Sequence, residues 1–267
     1  MKTFNKEKLN FVLVIALLFS VMSVKAQNKD NFRMHENNAF DVGEKLTFDV
    51  KYGFVTAGIA YFEIPKIKRI SGRDAYHVVF EVNSVPSFDM FYKVRDRYET
   101  YLDVEGIFPW RFEQHIREGG YSRDFSAFFD QRKGKAKTSE GEYDIPIYVN
   151  DIVSAFFYAR TLDYTKLNVG DKVPLKNFYK NKVYDLDVVY HGKETIEVAA
   201  GKFDCIIVEP LVQEGGLFKS EGSILVWLSD DEVKIPIRVK TKVVVGAIDA
   251  DLTKYEGISG KLTSKRN

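Results

Sequence analysis

Ser229, Asp230 and Asp231 follow one another directly, a hydroxyl beside two carboxylates. Such a set could ligate a hard cation, or supply a nucleophile with a base. A calcium loop needs further oxygen donors at fixed intervals, and none follows at that spacing. A nucleophile needs a base partner, and the chain offers no identifiable one. The flanks give a simpler reading. Ile224 to Leu228 reads as a strand. Beyond it Ile235, Ile237, Val239, Thr241, Val243 and Val245 alternate with Pro236, Arg238, Lys240 and Lys242. Alternation is the strand period, and a slip by one residue would bury the cations, so the register is well specified. The acidic group is then the joint between two strands, where Ser and Asp bond their own backbone. With both carboxylates facing water, amidating them is expected to change stability by no more than about 0.5 kcal/mol.

The remaining reactive side chains are scattered. His35, His77, His115 and His191 fall in no metal-ligand spacing, and each reads as solvated or structural. Cys205 lies on a strand face between Phe203 and Ile207, where apolar neighbours raise a thiol pKa and quench its reactivity. As the lone cysteine it can form no internal disulfide. No nucleophile elbow, phosphate loop or dinucleotide fingerprint appears. No catalytic, cofactor-binding or metal residue is therefore assigned, and no cofactor is expected. Lys172, Lys176, Lys180 and Lys182 stand among Phe178, Tyr179, Tyr184 and Tyr190. They could form a docking face for an anionic glycan or lipid head group. A solvated strand face is the simpler reading, because exposed lysine is normal on sheet edges.

The elements that would position these residues are mostly strands. In "EKLTFDVKY", Leu46, Phe48, Val50 and Tyr52 face one way and Lys45, Thr47, Asp49 and Lys51 the other. "AYHVVFEV", "YKVRDRYETYL" and "WRFEQHI" repeat the pattern. The 21 phenylalanines and 15 tyrosines favour strands over helices. About twelve strands are predicted, at spacings typical of barrels and sandwiches. One stretch breaks the rhythm. In "NDIVSAFFYARTLDY", Ile152, Ala155, Phe156 and Ala159 recur at helical spacing behind an Asn150 or Asp151 cap. This predicts a helix near 151–162, packed by that face on the sheet, with Phe156 buried and Arg160 nearer the rim. The fold expected is mainly β: an antiparallel closed or half-open barrel, or strongly curved sheet, with one internal helix. A two-sheet sandwich is the alternative.

The N-terminus has the layout of a secretory signal peptide. Lys2, Lys6 and Lys8 precede an apolar run from Phe11 to Val24, and Val24-Lys25-Ala26 places small residues at a cleavage site between Ala26 and Gln27. A spanning helix needs about 20 residues, and the run has 14. No cysteine follows it, so a lipoprotein is not expected. Four lysines and one glutamate lie in residues 1–26, so removing them takes the formal net charge from +1 to −2. A nearly neutral chain has no global electrostatic ground for binding nucleic acid. The organisation expected is a cleaved signal over 1–26, a flexible arm over 27–40, a single β-rich domain over 41–260 and a C-terminal tail over 261–267.

The pieces "DVGEKLTFDVKYGFVTAGIAYFEI", "DIVSAFFYAR", "NVGDKVPL", "ETIEVAAGKFDCIIVEP" and "GSILVWLSDDEVKIPIRVKTKVVVGAIDADL" span 41 to 252 in order. Together they resemble a bacterial envelope family, domain of unknown function 3108. The resemblance implies an exported β-rich protein of Gram-negative bacteria and carries no catalytic residues. The function expected is non-enzymatic, in the periplasm or outside the cell: binding of an apolar or amphipathic, lipid-like ligand, or contact with another envelope component. A structural or assembly partner with a filled core is the alternative, and a glycan-acting enzyme comes third. A cavity on the order of several hundred Å³ would favour the first. N-terminal sequencing of the exported form should give Gln27 as the first residue; retention of residues 1–26 in a membrane fraction would refute the cleavage.

Overall fold

The computed structural model describes residues 31–212, 224–242 and 246–266; the expected signal segment and residues Val243 and Val245 lie outside them. The sheet and helices described below belong to one unit, Met34–Asn267. The first meander is β1 (Lys45–Tyr52), β2 (Val55–Ile70), β3 (Arg73–Ser84), β4 (Arg95–Asp103), β5 (Pro109–Glu118), β6 (Tyr121–Asp130), β7 (Lys135–Thr138) and β8 (Gly141–Asp144). The second is β9 (Lys172–Tyr179), β10 (Lys182–Val198), β11 (Gly201–Val212), β12 (Ile224–Ser229), β13 (Pro236–Lys242) and β14 (Ala247–Glu256). Consecutive strands pair antiparallel, and β1 also pairs with β14, fusing the meanders into one sheet. A two-residue strand, β15 (Lys265–Arg266), pairs with β11. The described residues thus form fifteen strands rather than about twelve. The extra ones include four-residue and two-residue pieces, too short to show a period.

The sheet curves into a half-open barrel. It is neither closed nor a sandwich: β8 and β9 remain its two edges. The chain between the meanders crosses the gap at one point. Asn150 makes a parallel bridge to Asn177, with Asn150 N donating to Lys176 O at 2.8 Å and Phe178 N to Asn150 O at 2.7 Å. The concave face carries the alternating apolar set: Leu46, Phe48, Val78, Phe112 and Ile237 are all buried. The convex face carries paired charges, among them Arg111 with Glu113 at 2.7 Å and Arg238 with Asp251 at 2.5 Å.

The linking helix, here α2 (Ile152–Arg160), follows α1 (Pro86–Asp89), a single turn between β3 and β4. Asp151 caps α2, accepting from Val153 N and Ser154 N at 2.9 Å, while Ser154 Oγ accepts from Asp151 N at 2.8 Å. The expected helix ends at Arg160 rather than 162, and the chain then turns through Tyr164–Lys166. Its stripe Ile152, Ala155, Phe156, Ala159 faces the interior, but the opposite side is also buried: Val153, Phe157 and Arg160. The fully buried phenylalanine is therefore Phe157, while Phe156 is half-buried.

Arg160 corrects a second expectation. Instead of nearing the rim it is 0% exposed. Its Nη1 and Nη2 donate to the two carboxylate oxygens of Glu44 at 2.6 and 2.8 Å. Nη2 also donates to Ala39 O and Val233 O, and Nε to Lys234 O, each at 3.1 Å. The rings of Phe40 and Phe157 lie 5.3 and 5.1 Å from the guanidinium. The arm is consequently not loose to its end, because Ala39 and Phe40 are buried in this packing. Nor is 261–267 a simple tail: Ser264 is buried and Lys265–Arg266 form β15. Removing one partner of a buried ion pair strands the other charge and costs about 3–5 kcal/mol, against a total stability of roughly 5–15 kcal/mol. Arg160→Met should therefore lower the thermal midpoint sharply, while Lys166→Ala, on an exposed lysine just past the helix, should leave it almost unchanged.

Candidate functional site

The helix fills one end of the curved sheet, and the other end is hollow. Along β1 the inward side chains run Leu46, Phe48, Val50. Along β2 they shrink from Ile64 and Phe62 to Ala60 and Gly58, and along β3 from Phe80 to Val82 and Ser84. Shorter side chains where no helix intrudes leave a cavity of about 670 Å³. Ligand pockets commonly measure roughly 300–1,000 Å³.

Its floor is the α2 stripe that the sequence singled out, Ile152, Ala155, Phe156 and Ala159. One wall is aromatic. Phe62 stacks on Phe156 at 5.1 Å and on Phe80 at 4.4 Å, and Phe80 leans on Tyr98 at 5.9 Å. Burial pushes the Tyr98 phenol up to about 12, so it stays neutral. The far wall is aliphatic, with Val188, Val208, Val226 and Val239. Polar groups are few. Asn177, buried on β9, has a side-chain oxygen with no hydrogen-bond partner. Asp96 accepts from Arg117 N at 2.9 Å, and Lys51 pairs with Asp251 at 3.3 Å. The arrangement offers apolar volume with a few polar anchors.

The mouth is framed by the β1–β2 turn and by α1. Val85 N donates to Ala57 O at 3.0 Å, tying the two together. Ser84 bonds Asp89, and Arg95 Nη2 donates to Asp89 at 2.6 Å. The Arg95 guanidinium, then the Ser84 hydroxyl, holds the Asp89 carboxyl below its usual range. The short helix is thus strapped down by polar bonds while Met90 and Phe91 point outward, 85% and 82% exposed.

The other singled-out residues lie away from this cavity. His35 bonds Thr161 at 2.6 Å, His115 bonds Asp124 at 2.7 Å, His191 bonds Glu209 at 2.8 Å, and His77 contacts Glu99. Burial, more than any other influence, lowers the His77 pKa, and it pushes the Cys205 thiol up to about 12. Among the described residues no three His, Cys, Asp or Glu side chains gather as a metal site. Of the four lysines, Lys172 lies 3.7 Å from Asp187, Lys176 pairs with Asp185, and Lys180 covers the Tyr179 ring at 5.1 Å. The cavity itself had a partial sequence signal in the helix stripe. Its volume had none, because it depends on side-chain sizes compared across strands.

Ser229, Asp230 and Asp231 sit at the β12–β13 joint, but the two carboxylates differ. Asp230 faces out and pairs with Lys193 at 2.6 Å. Asp231 accepts from Ser229 Oγ at 2.8 Å, Lys234 N at 3.2 Å, Ser264 N at 3.3 Å and Ser264 Oγ at 2.6 Å. It ties the joint to the C-terminal segment, so the expectation that both carboxylates are dispensable fails for Asp231. Losing such bonds costs about 1–3 kcal/mol, whereas exposed ion pairs are worth ~0–1 kcal/mol. In urea melts, Asp231→Ala should shift the midpoint clearly and Asp230→Ala hardly at all.

Comparisons with known proteins agree with this architecture. The model of the family described as protein of unknown function DUF3108 matches residues 47–253. No curated protein matches the chain. Among solved structures, a β-barrel-like protein of domain of unknown function DUF1849 from Brucella abortus superposes with a TM-score of 0.54 at 11% identity, covering 81% of this chain and 98% of its own. A candidate lipoprotein from Parabacteroides distasonis reaches 0.35 at 11% identity, covering 85% and 100%. A hypothetical protein from Chlamydia trachomatis reaches 0.37 at 8% identity, covering 85% and 92%. The first likeness shows the fold alone, and the other two are too distant to carry an inference.

Proposed function

The chain belongs to DUF3108, a family of unknown function, and we propose that it is an exported, non-enzymatic cell-envelope protein that holds an apolar or amphipathic, lipid-like molecule. The observation that carries this reading is the cavity of about 670 Å³, floored by α2 and walled by aromatic and aliphatic side chains. Export is inferred from the signal-peptide layout of residues 1–26. A purely structural protein would be expected to fill such a space, since interiors pack to the density of organic crystals. Asn177 and Asp96 at the wall would suit a ligand bearing a polar group as well as a tail.

Native mass spectrometry of protein purified from its own host should reveal a bound mass that organic extraction removes. A fluorescent apolar probe such as phenylnaphthylamine should then bind the emptied protein. Ala250 lines the cavity, and Ala250→Trp places an indole in that space. The variant should keep its strand circular dichroism and bind the probe at least about tenfold more weakly, a loss of ~1.4 kcal/mol. Absence of any co-purifying mass together with unchanged probe binding in Ala250→Trp would overturn the reading.

A further inference from the structure

The rim of the cavity is apolar on its outside as well as its inside. Phe54, at the β1–β2 turn, is fully exposed, and Val55 beside it is largely so. Met90 and Phe91 stand just beyond α1 with only a small part of their surface covered. Below these tips come tyrosines: Tyr52 and Tyr92, both half exposed and both lining the mouth, and Tyr121 at the start of β6. The turns are held side by side by backbone bonds, Val85 N to Ala57 O at 3.0 Å and Gly119 N to Lys93 O at 2.8 Å. The tips are therefore a fixed set on one rim.

We propose that this rim docks on a lipid bilayer surface, with Phe54, Met90 and Phe91 inserted among the acyl chains and the cavity mouth facing the membrane. Three features favour a bilayer over a folded partner. The apolar side chains project from two separate turns, as suits a fluid phase that needs no shape complement, whereas protein hot spots sit in packed pockets. The order from tip to base is aliphatic and phenyl groups, then tyrosines with exposed Lys93, which is the order of polarity across a membrane interface. The patch is also continuous with the cavity, so a docked mouth would open onto an apolar phase rather than water. Charge plays a smaller part, because the two arginines near the rim are paired locally: Arg95 with Asp89 at 2.6 Å and Arg117 with Asp124 at 2.9 Å. The purpose of docking, loading or unloading the cavity, rests on the ligand-binding reading; the docking itself does not.

The test is flotation of the exported chain from Gln27 with extruded vesicles, either of phosphatidylcholine or of phosphatidylethanolamine with phosphatidylglycerol. The wild type should float with both, and raising the salt should not release it. The variant carrying Phe54→Ser, Met90→Ser and Phe91→Ser should partition at least about tenfold less, a loss of ~1.4 kcal/mol. It should keep the wild-type melt and the wild-type affinity for phenylnaphthylamine, so a failure of docking is distinguishable from a failure of ligand binding. The proposal is overturned if the wild type stays with the soluble fraction or if the triple variant floats equally well. Binding only to anionic vesicles, abolished by salt, would also overturn it in favour of surface charge. So would a concentration-dependent dimer that the triple variant loses, which would place a second copy on the rim.

Discussion

A guanidinium with no access to water dictates the architecture at one end of this molecule. Arg160 is held by both oxygens of Glu44 and by the carbonyls of Ala39, Val233 and Lys234. A charge removed from water is tolerable only if every donor finds an acceptor at once. The chain meets that demand at the α2 terminus from three directions: the residue before β1, the N-terminal arm and the β12–β13 joint. A bidentate fork fixes angle as well as distance. The pair thus works less as a source of net stability than as a register device, fixing where the helix lies across the sheet. Asp231 extends the same joint outward to Ser264, so the C-terminal segment depends on the placement that Arg160 sets.

With the helix pinned at one end, the opposite end is left to the sheet alone. Fifteen described strands make a circumference wider than their own side chains can fill, and the inward residues there are valine, alanine, glycine and serine. Apolar groups around a void lack partner atoms on one side and forfeit dispersion contacts. A molecule that entered would restore those contacts and, by binding only the folded chain, would stabilise it in proportion to its concentration and affinity. The open seam between β8 and β9 follows from the same geometry. Among the described residues a backbone bridge at Asn150 and Asn177 spans it, Asn181 adds side-chain bonds to Thr138 and Glu140, and the side-chain oxygens of Asn150 and Asn177 are buried without partners.

Much of this was legible in the residues. Period-two alternation located the strands because one face is dry and the other wet, and the two cannot exchange. The stripe Ile152, Ala155, Phe156, Ala159 was expected to pack on the sheet with Phe156 buried; it does turn inward, but as the cavity floor, with Phe156 half-buried. What could not be read was that the other side of the helix is buried too. Val153 and Phe157 hinted at it, but an arginine in third place breaks any apolar stripe, and its partner lies 116 residues away in sequence. Asp231 was misjudged for a related reason. A turn carboxylate looks solvent-facing until Ser264 arrives from 33 residues further along. Local pattern carries local burial; it does not carry which distant segment completes a hydrogen-bond set.

Among the places where the fold departs from the rule that charge goes outside and hydrocarbon inside, two lie at opposite ends of the sheet. At the closed end an arginine is in the core; at the open end phenylalanine and methionine are in water. Violations of local rules are expected at functional or strained positions, so the question is which of the two is functional. Every nitrogen of the Arg160 guanidinium donates within the chain, and the side chain is closed off from water. Among the described residues the rim has no such internal answer. Phe54, Met90 and Phe91 sit on turns tied to each other by the Val85 N to Ala57 O bond, and most of their surface is left uncovered. A satisfied violation fixes structure, whereas an unsatisfied one implies something outside the chain that completes it. The asymmetry separates a closed end whose polar bonds are made within the chain from an open end whose apolar side chains meet water.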